Sequence, residues 1–257
     1  MIVRKRRVYF SEVNFLMPKT VYLPLASGMI RAYSEKFHIL NEHYEFMPFV
    51  ILRESVESVL SRYKEPSIAA FSTSIWNEQY NLKIAKLVKK QFPECLVIFG
   101  GPSVPHFPKE YFEKYDFIDI AVRGEGEVVF AEILKRFLKS NDFSGIPSVS
   151  WRHSLTNKCI CNPDQLKLER ELDAFPSPYL SEFYEYFFTE YNDITFQAII
   201  ETDRGCPFTC AFCYWGQGGL NSKLRFHSLD RIRNEIEWMA RHNILYVFNA
   251  ASNFGIN

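Results

Sequence analysis

Five short apolar runs, each closing on small or polar residues, alternate with helical stripes over the first 140 residues. That alternation limits the fold more than any other feature of the chain. Val21 to Leu25 ends at Ser27-Gly28, Tyr44 to Leu52 follows, and Ser67 to Phe71 runs into Ser72-Thr73-Ser74-Ile75-Trp76-Asn77. Leu96 to Phe99 stops at Gly100-Gly101-Pro102, and Phe117 to Val122 at Gly124-Glu125-Gly126-Glu127. Mostly apolar runs fit parallel strands buried on both faces better than half-exposed ones. Between them Val56, Val59, Leu60 and Tyr63 stripe one helix; Ile84, Leu87, Val88 and Phe92 stripe a second within Glu78 to Phe92. Val129, Ile133, Leu134, Phe137 and Leu138 mark a third. The pattern predicts a doubly wound α/β domain over residues 1–140, with its ligand crevice beyond the carboxyl ends of the strands. The basic stretch Arg4 to Arg7, followed by Ser11, Glu12 and Asn14, reads as a solvated lead-in.

Ile146 to Trp151 and Lys158 to Cys161 form a candidate hairpin. Asn162 to Leu180, which holds Pro163, Pro176 and Pro178, reads as a linker, so residues 141–195 separate the first domain from a second α/β pattern over 196–257. That pattern has a strand at Phe196 to Glu201, a helix striped by Leu229, Ile232, Ile236 and Met239 with Ser228 as its N-cap, and a strand at Ile244 to Phe248. The first strand runs straight into Arg204-Gly205-Cys206-Pro207-Phe208-Thr209-Cys210-Ala211-Phe212-Cys213. Three of the six cysteines therefore fall within eight residues. This is a metal-binding pattern of a reducing cytoplasm rather than a disulfide framework. Thiolates at Cys-x3-Cys-x2-Cys can wrap three irons of a 4Fe–4S cluster and leave the fourth iron open. A zinc site is the alternative, and it needs a fourth ligand, with His227 nearest in sequence and Cys159 and Cys161 further off. The 30 basic residues balance 30 acidic ones, which argues against a general nucleic-acid binder. No segment approaches the apolar run that crosses a bilayer, and no signal peptide is recognisable.

The cysteine loop resembles that of the radical S-adenosylmethionine (radical SAM) enzymes, whose Cys-x3-Cys-x-aromatic-Cys signature is matched by Cys206, Cys210, Phe212 and Cys213. The flanking Glu201-Thr202-Asp203-Arg204-Gly205 and Tyr214-Trp215-Gly216 extend the match. The resemblance implies a 4Fe–4S cluster on the three cysteines, with S-adenosylmethionine on the open iron and flanked by Phe212, Trp215 and Gly216. One-electron reduction by a donor such as a flavodoxin or ferredoxin then yields a 5′-deoxyadenosyl radical. Ala251-Ser252-Asn253-Phe254-Gly255 resembles the family loop that meets the methionyl part of the cofactor, through Asn253 and Gly255. Relatives often carry an acidic residue near Ala251, and this chain does not.

An α/β domain ahead of such a loop resembles the cobalamin-dependent branch of that family. The implied architecture is a Rossmann-like cobalamin-binding domain followed by the first units of a radical SAM partial (β/α) barrel. Its corrin would meet Ser72, Thr73, Ser74 and Trp76, then Gly100, Gly101 and Pro102, then Gly124, Glu125, Gly126 and Glu127. Glycines let backbone approach the flat ring, and small hydroxyls bond its amide arms. None of the six histidines has an Asp two positions before it, so the resemblance implies a corrinoid without a histidine ligand, with Trp76 over its lower face.

A full eight-unit barrel takes about 250 residues, so residues 196–257 supply only about two units. The chain therefore reads as truncated, lacking most of the catalytic barrel. The leading expectation is the N-terminal part of an enzyme that transfers methyl to an unactivated carbon of a peptide or other natural product. The alternatives are a non-catalytic cobalamin or Fe–S binding module and a zinc-stabilised α/β protein. The last predicts His227 within ligand distance of the three thiolates.

Overall fold

Polar side chains conceal the strand around which the first sheet is built. A computed structural model describes residues 4–14, 19–164, 167–213 and 223–252. The chain opens with β1 (Arg6–Asn14), β2 (Thr20–Tyr22), α1 (Leu25–Glu35), α2 (His38–His43), β3 (Tyr44–Phe46) and β4 (Val50–Leu52). It continues through α3 (Val56–Arg62), β5 (Pro66–Ser72), α4 (Glu78–Gln91), β6 (Leu96–Gly100), α5 (Lys109–Lys114), β7 (Ile120–Val122) and α6 (Glu127–Phe137). After β8 (Val149–Arg152) and β9 (Cys159–Cys161) come a 3-10 turn (Leu172–Ala174), α7 (Glu185–Glu190) and β10 (Thr195–Ile200). The last elements are β11 (Asp203–Arg204), β12 (Arg225–Phe226), α8 (Leu229–Arg241) and β13 (Val247–Asn249). Contacts divide the described chain into two units, 4–14 with 33–164 and 19–32 with 167–213 and 223–252.

In the first unit β1 pairs in parallel with β3 and β4 on one side and β5 on the other; β6 and β7 follow in parallel, then β8 and β9 antiparallel. Helices cover both faces. Phe10 packs on Phe130 of α6, with ring centroids 5.1 Å apart, while Tyr9 meets Tyr63 at the end of α3 and Phe99 meets Tyr111 of α5. The lead-in expected at the N-terminus is thus corrected to β1, buried from Val8 to Val13. A polar residue is tolerated inside a sheet when it is bonded, and the Ser11 hydroxyl lies 2.7 Å from the buried Tyr63 hydroxyl.

Two other strand expectations shift. Tyr44 to Leu52 breaks into β3 and β4 around Met47-Pro48-Phe49, where proline lacks the donor a ladder needs. Val21 to Leu25 shrinks to β2, which pairs with β10 rather than with the first sheet, and Ser27-Gly28 lies inside α1. Gly28 is required there, because a Cβ would sit 2.1 Å from the Tyr184 hydroxyl.

The second unit carries the parallel sheet β13–β10–β2. As the spacing predicts, α8 runs between β10 and β13, and its N-cap is Ser228, whose hydroxyl accepts from the Arg231 N–H at 3.2 Å. Trp238 on α8 packs among Tyr179, Tyr184 and Phe188. The proline-rich stretch 162–180 contributes Leu172, Phe175 and Tyr179, all buried.

Candidate functional site

The first sheet changes winding direction between β1 and β5: chain order runs outward through β3 and β4 on one side and β6 and β7 on the other. Open α/β sheets bind ligands at the carboxyl ends of the strands flanking such a point. The loop after β5 is there, and the loops after β6 and β7 continue the same carboxyl edge. Ser72 and Gly100 are register partners at the ends of β5 and β6. The Thr73 N–H and hydroxyl both donate to the Gly100 carbonyl, at 2.7 and 2.8 Å, and the Ser103 N–H donates to the Thr73 carbonyl at 3.2 Å. Thr73 is therefore buried and committed to the fold. Ser72 and Ser74 are half-buried.

The glycines divide by cause. Gly101, at φ +100°, lies so close to Thr73 that a Cβ would come within 2.5 Å of its carbonyl oxygen. Gly100 has an ordinary φ, and nothing stands within 4 Å of where its Cβ would be. Neither conformation nor packing in the described chain asks for glycine there; the close approach of a ligand would. Gly124, at φ +72°, also faces open space. Around these loops Ile75, Trp76 and Phe107 expose 89%, 50% and 84% of their surface, an apolar rim suited to a broad flat ligand. Pro102 is exposed, Glu125 and Gly126 are half-buried, and Glu127 is buried as the first residue of α6.

Sequence reasoning missed Asn77, Asn81 and Arg123. The Arg123 guanidinium, buried at the end of β7, donates to Asp164 at 2.9 Å, to Ser150 and to the Asn162 carbonyl at 2.9 Å, tying β7 to the hairpin of β8 and β9. Its polar partners lie far along the chain, so no local pattern announces it. An Asn at a helix start, by contrast, is a signal a reader can use.

The cysteine loop leaves the carboxyl end of β10 through Glu201-Thr202 and β11. Gly205 adopts φ +96°, which favours glycine, and its carbonyl accepts from the Ser252 hydroxyl. Cys206 is buried, Cys210 exposed and Cys213 half-buried; all three are free thiols, and the Cys213 N–H donates to the Cys210 carbonyl at 3.0 Å. Phe212 exposes 95% of its surface. The donor set suits a thiolate-bound iron cluster in kind. Among the described residues, however, no three of His, Cys, Asp and Glu converge as a metal site. Tyr214, Trp215, Gly216, Asn253, Phe254 and Gly255 lie outside the described residues.

His227, the fourth-ligand candidate of the zinc alternative, is engaged by carboxylates among the described residues. The Nδ1 of its buried ring donates to Asp173 Oδ1 at 2.8 Å, and Nε2 lies 3.8 Å from Glu201 Oε2. The Arg204 Nε donates to the same Glu201 oxygen at 2.9 Å. Burial pushes the Glu201 carboxyl up, but His227 and Arg204 together outweigh it and hold the group below its ordinary value. Asp173 behaves alike: burial raises it, and hydrogen bonds from Ser228 and His227 lower it further. This network fastens the stem of the loop, where β11 and β12 form just two antiparallel pairs. Cys161, the other fourth-ligand candidate, accepts from the Ser150 hydroxyl at 3.3 Å in the first unit, and Cys159 packs against that unit's core.

Comparison with family models gives no match. Among curated proteins, the chain is 36% identical over 256 residues to the cobalamin-dependent radical SAM methyltransferase TokK of Streptomyces tokunonensis, covering 98% of this chain and 36% of that protein. It is 35% identical over 254 residues to the 2-(S-pantetheinyl)-carbapenam-3-carboxylate methyltransferase of Streptantibioticus cattleyicolor, with the same coverage of each. The chain thus spans about a third of the length of these relatives. Among solved structures, the cobalamin-dependent S-adenosylmethionine radical enzyme OxsB superposes with a TM-score of 0.73 at 16% identity, over 97% of this chain and 34% of that one. The radical S-adenosylmethionine methyltransferase TsrM of Kitasatospora setae superposes at 0.65 and 17% identity, over 98% and 50%. These structural likenesses speak to the fold.

Proposed function

We propose that this chain, 36% identical over 98% of its length to a cobalamin-dependent radical SAM methyltransferase, carries the corrinoid site and the cluster-binding loop of such an enzyme, acting in methyl transfer to an unactivated carbon. The observation that carries the reading is Gly100, a glycine at the end of β6, one strand from the switch point, that the described chain itself does not require. When bound, the corrinoid supplies a methyl group, and the 4Fe–4S cluster with S-adenosylmethionine supplies one-electron chemistry.

The residues of this chain hold and orient those groups. The backbone at Gly100 and Gly124, open to space, would let a flat corrin approach, and Ser72 and Ser74 would offer hydroxyls to its amide arms. Trp76, half exposed beside these loops, would offer the corrinoid a bulky apolar ring that excludes water. Cys206, Cys210 and Cys213 hold the cluster once drawn together, and Phe212, Trp215, Gly216, Asn253 and Gly255 border the S-adenosylmethionine.

The likeness to the carbapenam methyltransferase favours a small natural product with a pantetheinyl arm over a peptide as substrate. A flavodoxin or ferredoxin supplies the electron, in the reducing cytoplasm; among the described residues no helix is long and apolar enough to cross a membrane. The test is titration of the chain with hydroxocobalamin beside a Cys206→Ala variant loaded with iron and sulfide. Saturable corrinoid binding, with iron retained by the parent and lost by the variant, supports the reading; a parent that takes up neither overturns it.

A further inference from the structure

Asn77 stands at the N-cap of α4, yet its carboxamide makes no cap to that helix. Its Nδ2 donates instead to the Val13 carbonyl at 2.9 Å and to the Ser72 carbonyl at 3.1 Å, while its Oδ1 accepts from the Ser74 N–H at 2.8 Å. Val13 lies near the end of β1 and Ser72 at the end of β5, the two strands that flank the switch point. One helical turn on, the Asn81 Nδ2 donates to the same Ser72 carbonyl at 3.0 Å. Both side chains are buried, at 4% and 0% exposure. The ladder between β1 and β5 runs from Arg7↔Pro66 to Ser11↔Phe71. Beyond it the parallel strands part, and the Asn77 carboxamide bridges their backbones.

We propose that Asn77 is a positioning residue for the corrinoid pocket. It fixes the spread of β1 and β5 and locks the turn from Ser72 to Trp76, so that Trp76 is presented to the ligand in a set geometry. The inference rests on the corrinoid reading. Its physical basis is preorganisation: a loop already held by the protein need not be ordered by the ligand. A residue serving only the helix would turn its side chain to the free N–H groups of the first turn, as Ser55 and Ser228 do for α3 and α8.

Asn77→Ser separates the two roles, because serine caps a helix well but is too short to bridge both carbonyls. Melting temperature, hydroxocobalamin affinity and the visible spectrum of the bound corrin would be measured on the full chain. The expected result is a folded chain whose melting temperature falls by about 2–4 °C, because a new serine cap offsets part of the loss of the bridging hydrogen bonds. The dissociation constant should rise about tenfold, the scale of ordering on binding a loop that the bridge otherwise holds. The corrin bands should shift as Trp76 loses its anchor. Asn77→Asp, which keeps the acceptor for Ser74 and loses both donors, should show the same weakening and serves if the serine variant does not fold. A folded variant with parental affinity and spectrum overturns the inference, as do two variants that both fail to fold, since Asn77 would then serve the core alone. A parent that binds no hydroxocobalamin overturns the corrinoid reading with it, so the two failures are distinguishable.

Discussion

Gly100 and Gly101 are neighbours with opposite reasons for being glycine, and substitution tells them apart. Gly101 meets the Thr73 backbone at positive φ, so any side chain strains the fold. Gly100 meets nothing. Gly100→Val is therefore expected to leave the melting temperature within about 3 °C of the parent, as for a change that removes no native contact. It should weaken hydroxocobalamin binding by a factor of about 100, the scale of an isopropyl group forced into a close ligand contact. Equilibrium dialysis beside a thermal melt checks both halves; a destabilised protein that binds normally contradicts the assignment. Trp76 and Phe107, exposed at the same rim, do not bear on stability in this way.

At the scale of elements, the stem of the cysteine loop depends on charge where it has little backbone to depend on. Two β pairs do not hold a long loop closed unaided, and Glu201, Arg204, His227 and Asp173 add the rest. Because the Glu201 and Asp173 carboxyls lie below their ordinary values in the folded chain, the unfolded state takes up protons first as pH falls. Their contribution is fully present above the unfolded values of about 4.3 and 3.9, and is lost as pH drops through the folded ones. Urea unfolding of the parent should therefore weaken more steeply below about pH 4 than that of Glu201→Gln; parallel curves would deny the carboxylate this role.

The same scale shows what the sequence discloses. β5, β6, α4, α6 and α8 are legible because one apolar period governs each. β1 is not, since Ser11 is buried against the distant Tyr63 and Glu12 is buried beside it, and polarity alone reads as exposure. The strand is nonetheless central: Phe10→Ala, emptying a site lined by Phe49 and Phe130, should cost about 3–5 kcal/mol in chemical denaturation. The site divides likewise. The cysteines and small-residue loops are visible as local motifs. The Asn77 bridge and the turn of His227 toward Asp173 depend on strands and turns that only the folded chain brings together.

At the scale of the molecule, two units of different character share one chain. The first is a parallel sheet covered on both faces, with an apolar-rimmed crevice at its switch point. The second is a three-stranded parallel sheet with a cysteine loop at the end of its middle strand. The relatives that match 98% of the chain extend to nearly three times its aligned share, so the claim made for this chain is that it binds the two metal groups, one in each unit. The most direct test is metal content per chain after anaerobic reconstitution with iron, sulfide and hydroxocobalamin. About four irons and one cobalt per chain are expected; a folded chain that retains neither metal would contradict binding in both units.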